Sequence, residues 1–328
     1  MLKNGSVIGN VNASAPGGAS GLWDNTDVFI STKSGIWPKP PELNNFTFTN
    51  GTTTGPTGPT ISNLLDSYDT AADTWLTIPE IFTVSDGIQI FKVIDTANYR
   101  IEAYGAEGGA TTTAARLSGK GAIMKGDFSL TEGDLIYILV GQQGQSMGYT
   151  SGGGGGTFVA TGTSISTATA LIVAGGGGGG GDSGGNGISA STSTSGTAGY
   201  NSGAGAGGTN GNGGSGSNGG YGESGAGFLS NSTSNRTTWG FTPTIGVTAF
   251  RNGGVGSGLW PAFSGSSCVA GGGGFGGGGA GGCNGGGGGG GYSGGGAAGG
   301  GGGSINTGTN QSNSVGHVGH GKVIMVKL

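Results

Sequence analysis

Unbroken runs of glycine, at residues 152–156, 175–181, 271–274, 276–279 and 285–291, constrain what this chain can fold into more than any other feature. Glycine loses more conformational freedom on ordering than any other residue, about 0.5–1 kcal/mol relative to alanine. No side chains within the runs offset that cost. Either the runs stay disordered, or their backbone amides form a core of their own. A glycine run can adopt the left-handed threefold polyglycine helix, which rises about 3.1 Å per residue and has no internal hydrogen bonds. Its N–H and C=O groups point outward and must be paired if buried. Several such helices side by side can pair with one another, because no Cβ keeps their axes apart. Run 285–291 would then span about 20 Å. Collagen is rejected: no Gly-X-Y period is present and prolines number only 9.

Composition narrows the functional classes. Glycine is 87 of the 328 residues, and only 9% of residues are charged, with a net charge of −4. Between residues 141 and 321 the charged residues are Asp182, Glu223, Arg236 and Arg251. Nucleic acid is not an expected partner, since a phosphate backbone demands clustered Lys and Arg. Membrane insertion is not expected either, because no window approaches the roughly 20 apolar residues of a span. The opening MLKNGSVIGNVNASAPGG has no apolar run of signal-peptide length. Synthesis in a cytoplasm, without a classical secretory route, is the expectation.

Residues 1–45 read as an N-terminal anchoring arm. It is rich in Gly, Ser and Asn and carries Trp23, Phe29 and Trp37; Pro38, Pro40 and Pro41 impose an extended connection. The three aromatics either insert into another subunit or pack on the main body, and Trp carries weight at interfaces. Residues 46–328 read as a glycine-rich domain. GIQIFKV (87–93), YRIEAYG (99–105), GAIMKGDFSL (121–130), DLIYILVG (134–141), TFVATG (157–162), ATALIVAG (168–175) and GKVIMVKL (321–328) are its strands. Residues 95–98 predict a tight turn joining the first two as a hairpin. Alternation puts Tyr99, Ile101 and Ala103 on one face of the second. The continuous apolar stretch 135–140 predicts a central strand covered on both faces, and the C-terminal strand should return to the sheet begun near residue 46. A helix is expected only around residues 61–75. The glycine-rich part, about 141–303, is then an insertion into a β-sandwich made of residues 46–175 and 321–328.

The segment 227–270 carries Phe228, Trp239, Phe241, Phe250, Trp260 and Phe263. These aromatics either cap the glycine bundle or form an exposed recognition surface; on the second reading Phe228, Trp239, Phe241, Trp260 and Phe263 are the receptor-contact candidates. Cys268 and Cys283 flank two glycine runs, and a disulfide between them would contribute about 3 kcal/mol. No catalytic set, metal site or cofactor site is legible. GxGxxG patterns are meaningless in this background, Lys120 lacks the Ser/Thr of a phosphate loop, and His317 and His320 have no carboxylate or thiol near them in sequence.

Seven motifs follow one another in order: TGPTGPT (54–60), GIQIFKV, YRIEAYGAEGG (99–109), DLIYILVGQQGQ (134–145), LIVAGGGGG (171–179), CNGGGGGGGY (283–292) and GHGKV (319–323). They resemble the extracellular glycine-rich domain of the anaplastic lymphoma kinase and leukocyte tyrosine kinase receptors. The resemblance covers residues 46–328. It implies an all-β fold, a tumour-necrosis-factor-like, jelly-roll-type β-sandwich with an inserted bundle of polyglycine II helices. Cys268 and Cys283 fall where that family has cysteines, while its other cysteines are absent here. The segment GLWD…SGIWPKP resembles short tags of tailed-phage structural proteins, and the polyglycine sandwich resembles the adhesins of some phage tail fibres.

Together these point to a non-enzymatic virion protein, a tail-fibre or tail-tip adhesin. Its arm would bind other virion proteins, its loops would bind a host cell-surface receptor, and self-association into a homo-oligomer stays open. A capsid or tail decoration protein is the alternative, and a secreted glycine-rich binding module a further one.

Overall fold

The computed structural model describes the backbone of residues 7–9 and 21–23, and residues 43–182, 185–216, 220, 222–233, 246–259 and 269–328 in full. The chain divides into two compact units, Met1–Glu42 and Leu43–Leu328. In the first, β1 (Val7–Gly9) pairs antiparallel with β2 (Gly21–Trp23). Trp23 closes that ladder; Phe29 and Trp37 lie outside the described residues.

The second unit is an all-β sandwich of two antiparallel sheets. One sheet is built from β3 (Asn45–Phe48), β6 (Ala97–Tyr104), β7 (Gly121–Leu130), β12 (Thr309–His317) and β13 (Lys322–Lys327), in the spatial order β12-β7-β6-β13-β3. The other contains β4 (Phe82–Ser85), β5 (Ile88–Lys92), β8 (Leu135–Leu139), β9 (Thr157–Thr161), β10 (Thr169–Ala174) and β11 (Ile305–Asn306), in the order β11-β10-β9-β8-β5-β4. As the C-terminal pattern predicts, β13 returns to the start of the domain, between β3 and β6. The short helix α1 (Ile61–Ser67) starts at a capping box, in which Thr60 and Asn63 each accept the other's backbone N–H.

Alternation along the strands builds the core between the sheets. Tyr99, Ile101 and Ala103 of β6 face Ile136 and Ile138 of β8 and Ile172 of β10 within one buried cluster. Trp75 anchors its far end, with ring centroids 4.8 Å from Phe46 and 5.1 Å from Phe91. Burying each such side chain stabilises the fold by roughly 1.5–3 kcal/mol. The opposite face of the six-stranded sheet is apolar too. Tyr137 and Leu139 of β8, Phe158 of β9 and Val173 of β10 are covered there by Phe228, Phe250 and Phe275 from the glycine-rich insertion. Strand β8 is therefore covered on both faces, as its unbroken apolar run requires.

Two expectations need correction. Strands β5 and β6 form no hairpin: β5 pairs with β4 and β8, whereas β6 pairs with β7 and β13. The connection through Asp95 crosses between sheets, and a two-residue alternation cannot tell a neighbour in the same sheet from one in the facing sheet. Strands β3, β4, β11 and β12 were also not among the expected elements. The residues of β12, TNQSNSVGH, are almost all exposed, so this edge strand has no buried face to impose an apolar alternation.

Every glycine of the five runs is buried. Their N–H groups donate to other segments, and the acceptor segment recurs every third residue. Gly287 and Gly290 donate to the carbonyls of Ser151 and Gly154, Gly288 and Gly291 to Glu223 and Ala226, and Gly289 and Tyr292 to Gly300 and Gly303. The run 152–156 repeats the pattern, with Gly152 and Gly155 donating to Gln145 and Gln142, and Gly153 and Gly156 to Gly279 and Gly276. Axes this close leave no room for a methyl group. A Cβ on Gly155 would fall on the Phe275 carbonyl oxygen, and one on Gly152 on that of Gly272.

Gly155→Ala should therefore destabilise the domain by at least about 1–3 kcal/mol. Gly246→Ala, whose Cβ would meet nothing within 4 Å, should stay within about 0.5 kcal/mol of the parent; urea denaturation of both variants checks this. Native-state hydrogen exchange provides a second check. The amides of Gly153, Gly177 and Gly289 should exchange as slowly as those of β8, and exchange at the rate of an unfolded peptide would contradict the hydrogen-bonded lattice.

Candidate functional site

Charged side chains gather on the outer face of the five-stranded sheet, where they satisfy one another. Arg100 makes a two-pronged contact with Asp127 at 2.8 and 2.9 Å. That bond, with a second from Asn310, holds the Asp127 carboxyl down at about 2. Glu102 is bonded by Lys125 at 2.8 Å and by the Tyr104 hydroxyl at 2.7 Å. Burial raises its pKa, but these bonds outweigh burial and the net shift is downward. Burial and the Glu102 carboxylate push Tyr104 up to about 12. Glu107 is tied to Lys120, Ser118 and the Gly319 N–H. Such a network is spent on its own pairing. Among the described residues no group of three or more His, Cys, Asp and Glu is placed to hold a metal ion.

Beside this network, segments 54–56, 143–146, 258–259 and 272–273 and His320 enclose an open cavity of about 570 Å³. Its walls are held by backbone bonds. The Gly55 and Pro56 carbonyls accept the N–H groups of Phe275 and Gly256, each at 2.8 Å, and Gln145 N–H donates to the Gly272 carbonyl at 2.9 Å. His320 joins the wall because its Nδ1 accepts the Gln143 N–H at 3.0 Å. Nε2 therefore carries the proton of the neutral ring.

Exposed apolar side chains stand on the loops 111–117 and 147–149, beside the glycine runs. Thr112 and Thr113 donate their N–H groups to the carbonyls of Met147 and Gly148, at 3.0 and 2.8 Å, and Leu117 N–H donates to Asn186 Oδ1 at 3.0 Å. These bonds tie the loop 111–117 to its neighbours. They also display Leu117 and Tyr149, which are 65% and 51% exposed.

The structure redistributes the residues expected to contact a receptor. Phe228 is only 2% exposed. It stacks on Phe250 at 4.9 Å, lies 6.3 Å from Phe158 and carries the Arg251 guanidinium 5.4 Å above its ring. It covers the six-stranded sheet and is not a surface residue, since a large apolar ring gains more by closing a sheet face than by facing water. Trp239, Phe241, Trp260, Phe263 and Cys268 lie outside the described residues. Cys283 is disulfide-bonded. Leu117 and Tyr149 were not singled out from sequence; the signal available was Leu117 alone in TTTAARLSG, and Met147 and Tyr149 in QSMGYTSG, among small or polar neighbours.

No family model matches the chain. A stretch of 59 residues, 18% of the chain, is 44% identical to the leukocyte tyrosine kinase receptor of Mus musculus. The chain spans about 7% of that receptor's length. The match supports a relationship over that stretch and carries no activity with it.

Both histidines bear on pH dependence. Burial lowers the pKa of His320, and of His317, whose Nδ1 lies 2.8 Å from the Gly105 carbonyl. An unfolded chain then takes up protons first as pH drops through about 6.5, so folded stability declines below that point. The carboxylates Glu107 and Asp127 are shifted down and lose their contribution only in a separate, more acid window. The urea midpoint should fall from about pH 7.5 to about pH 5.5, and fall less in His320→Gln. A flat profile across that interval would refute the assignment.

Proposed function

We propose that this chain is a non-enzymatic binding module in which a bundle of polyglycine II helices, inserted into a tumour-necrosis-factor-like β-sandwich, presents short loops to a partner. The observation that carries the reading is the threefold recurrence of backbone acceptors through buried glycine runs, combined with two large apolar side chains exposed on hydrogen-bonded loops beside those runs. A left-handed threefold helix directs its amides in three directions per turn, which accounts for the recurrence. The sandwich assignment is supported by β3 and β13, the first and last strands of the unit, lying side by side.

The setting proposed is a phage virion: a tail-fibre or tail-tip adhesin, made in the host cytoplasm, with the aromatic N-terminal arm as its attachment to other virion proteins. Leu117 and Tyr149 join Trp239, Phe241, Trp260 and Phe263 as the proposed contacts to a host receptor. Rigidity favours this role, since loops held in place before encounter lose less entropy on binding.

Deleting residues 1–42 should abolish incorporation into particles while the remaining domain still folds. Free protein should block adsorption of particles to host cells, and the pair Leu117→Ser and Tyr149→Ser should weaken that block at least about tenfold. Unchanged adsorption together with fragile particles would favour the decoration-protein reading instead.

A further inference from the structure

The cavity walled by segments 54–56, 143–146, 258–259 and 272–273 is distinct from the exposed loop end carrying Leu117 and Tyr149, and its chemistry is specific. Among the described residues no acidic or basic side chain lines it apart from the His320 imidazole. An ionic ligand would find no counter-charge there. The backbone N–H groups of Gly144, Gln145 and Gly273 are already committed to the Glu107, Gly272 and Ser257 carbonyls, so these three residues do not offer an extended peptide the N–H groups it would need there. Side chains add hydrogen-bonding capacity: the Thr54 hydroxyl, the Ser146 O–H, whose oxygen accepts the Ala110 N–H, and the Gln143 carboxamide, which donates one N–H to Glu107. Gln145 adds its Nε2, while its Oε1 accepts the Gly272 N–H, and His320 adds its own Nε2. Hydroxyls and carboxamides both donate and accept. Pro56 and Leu259 add apolar surface on the same walls, and Leu259 is 46% exposed.

We infer that this cavity is a binding site for an uncharged saccharide. A sugar presents hydroxyls that donate and accept in turn around a ring whose C–H faces are apolar, and the lining offers a counterpart to each. The cavity of about 570 Å³ lies within the range of roughly 300–1,000 Å³ typical of small-molecule sites. Among the described residues no aromatic ring lines it, so a single disaccharide binds weakly, with a dissociation constant of about 1 mM. Repeated sugars on a surface would raise the effective affinity through multiple copies of the module. The inference rests on the reading of the chain as a binding module and not on its place in a virion.

The test is a titration of the ¹⁵N-labelled full chain with maltose, cellobiose and lactose, with sialyllactose and a neutral decapeptide as comparators. At least one neutral disaccharide should shift the amide signals of Gly144, Gly258, Gly272 and Gly273. Thr54→Arg, which places bulk and charge on an exposed wall residue, should weaken binding at least about tenfold, whereas Leu117→Ser should leave it unchanged. An unaltered amide spectrum away from residue 54 shows that the variant folds. Absence of shifts at these glycines with all three disaccharides at about 50 mM overturns the inference, as does tighter binding of the peptide or of sialyllactose. If free protein still blocks adsorption in either of those cases, the binding-module reading stands without the saccharide site.

Discussion

Backbone hydrogen bonds between neighbouring glycine runs are the interaction on which the rest of this structure depends. Each such bond contributes only about 0.5–1.5 kcal/mol net, but a buried N–H left without an acceptor costs about 1–3 kcal/mol. The lattice is therefore close to all-or-none. Gly290 finds Gly154 and Gly291 finds Ala226 only if both partner segments are already in place. The absence of Cβ atoms makes the close spacing possible, and the close spacing keeps water away from the amides. Glycine, usually the residue of flexible linkers, here forms a packed interior.

The sandwich and the glycine lattice stabilise each other. The six-stranded sheet has two apolar faces, and one would stand in water without Phe228, Phe250 and Phe275. In turn, β8 leads directly into segment 141–145, and β10 into run 175–181, so the sheet sets the direction in which glycine segments enter the lattice. The aromatic stack of Phe158, Phe250 and Phe228 is where the two parts meet. Ion pairs such as Arg100 with Asp127 lie on the outer face of the molecule's other sheet, whereas inside the lattice the buried Glu223 carboxylate accepts the Ala280 N–H.

This division shapes what binding can look like. A surface built on glycine backbone offers few side chains, so recognition falls to single residues such as Leu117 and Tyr149 and to pockets whose walls are main chain. The cavity beside His320 is of the second kind: five segments distant in sequence contribute one to four residues each, and backbone bonds hold them in register.

Much of the β-sandwich was legible in the residues. The alternation in β6, the unbroken apolar run of β8 and the C-terminal strand β13 each require a face to be buried, and that demand is local. Where no face is buried, as in the polar edge strand β12, no pattern announced the element. Pairing was beyond reach for a related reason: β5 and β6 are close in sequence and both alternate, yet only the facing of two sheets puts them apart. The cavity and the loop display of Leu117 were also hidden, because they are assembled by bonds between segments as distant as Gln143 and His320. Composition alone dictated that ordered glycine runs must pair backbone to backbone, since nothing else in them can pair. Which run lies beside which, and whether an aromatic such as Phe228 faces the sheet or the solvent, depended on the folded chain, because identical glycines carry no label to distinguish one neighbour from another.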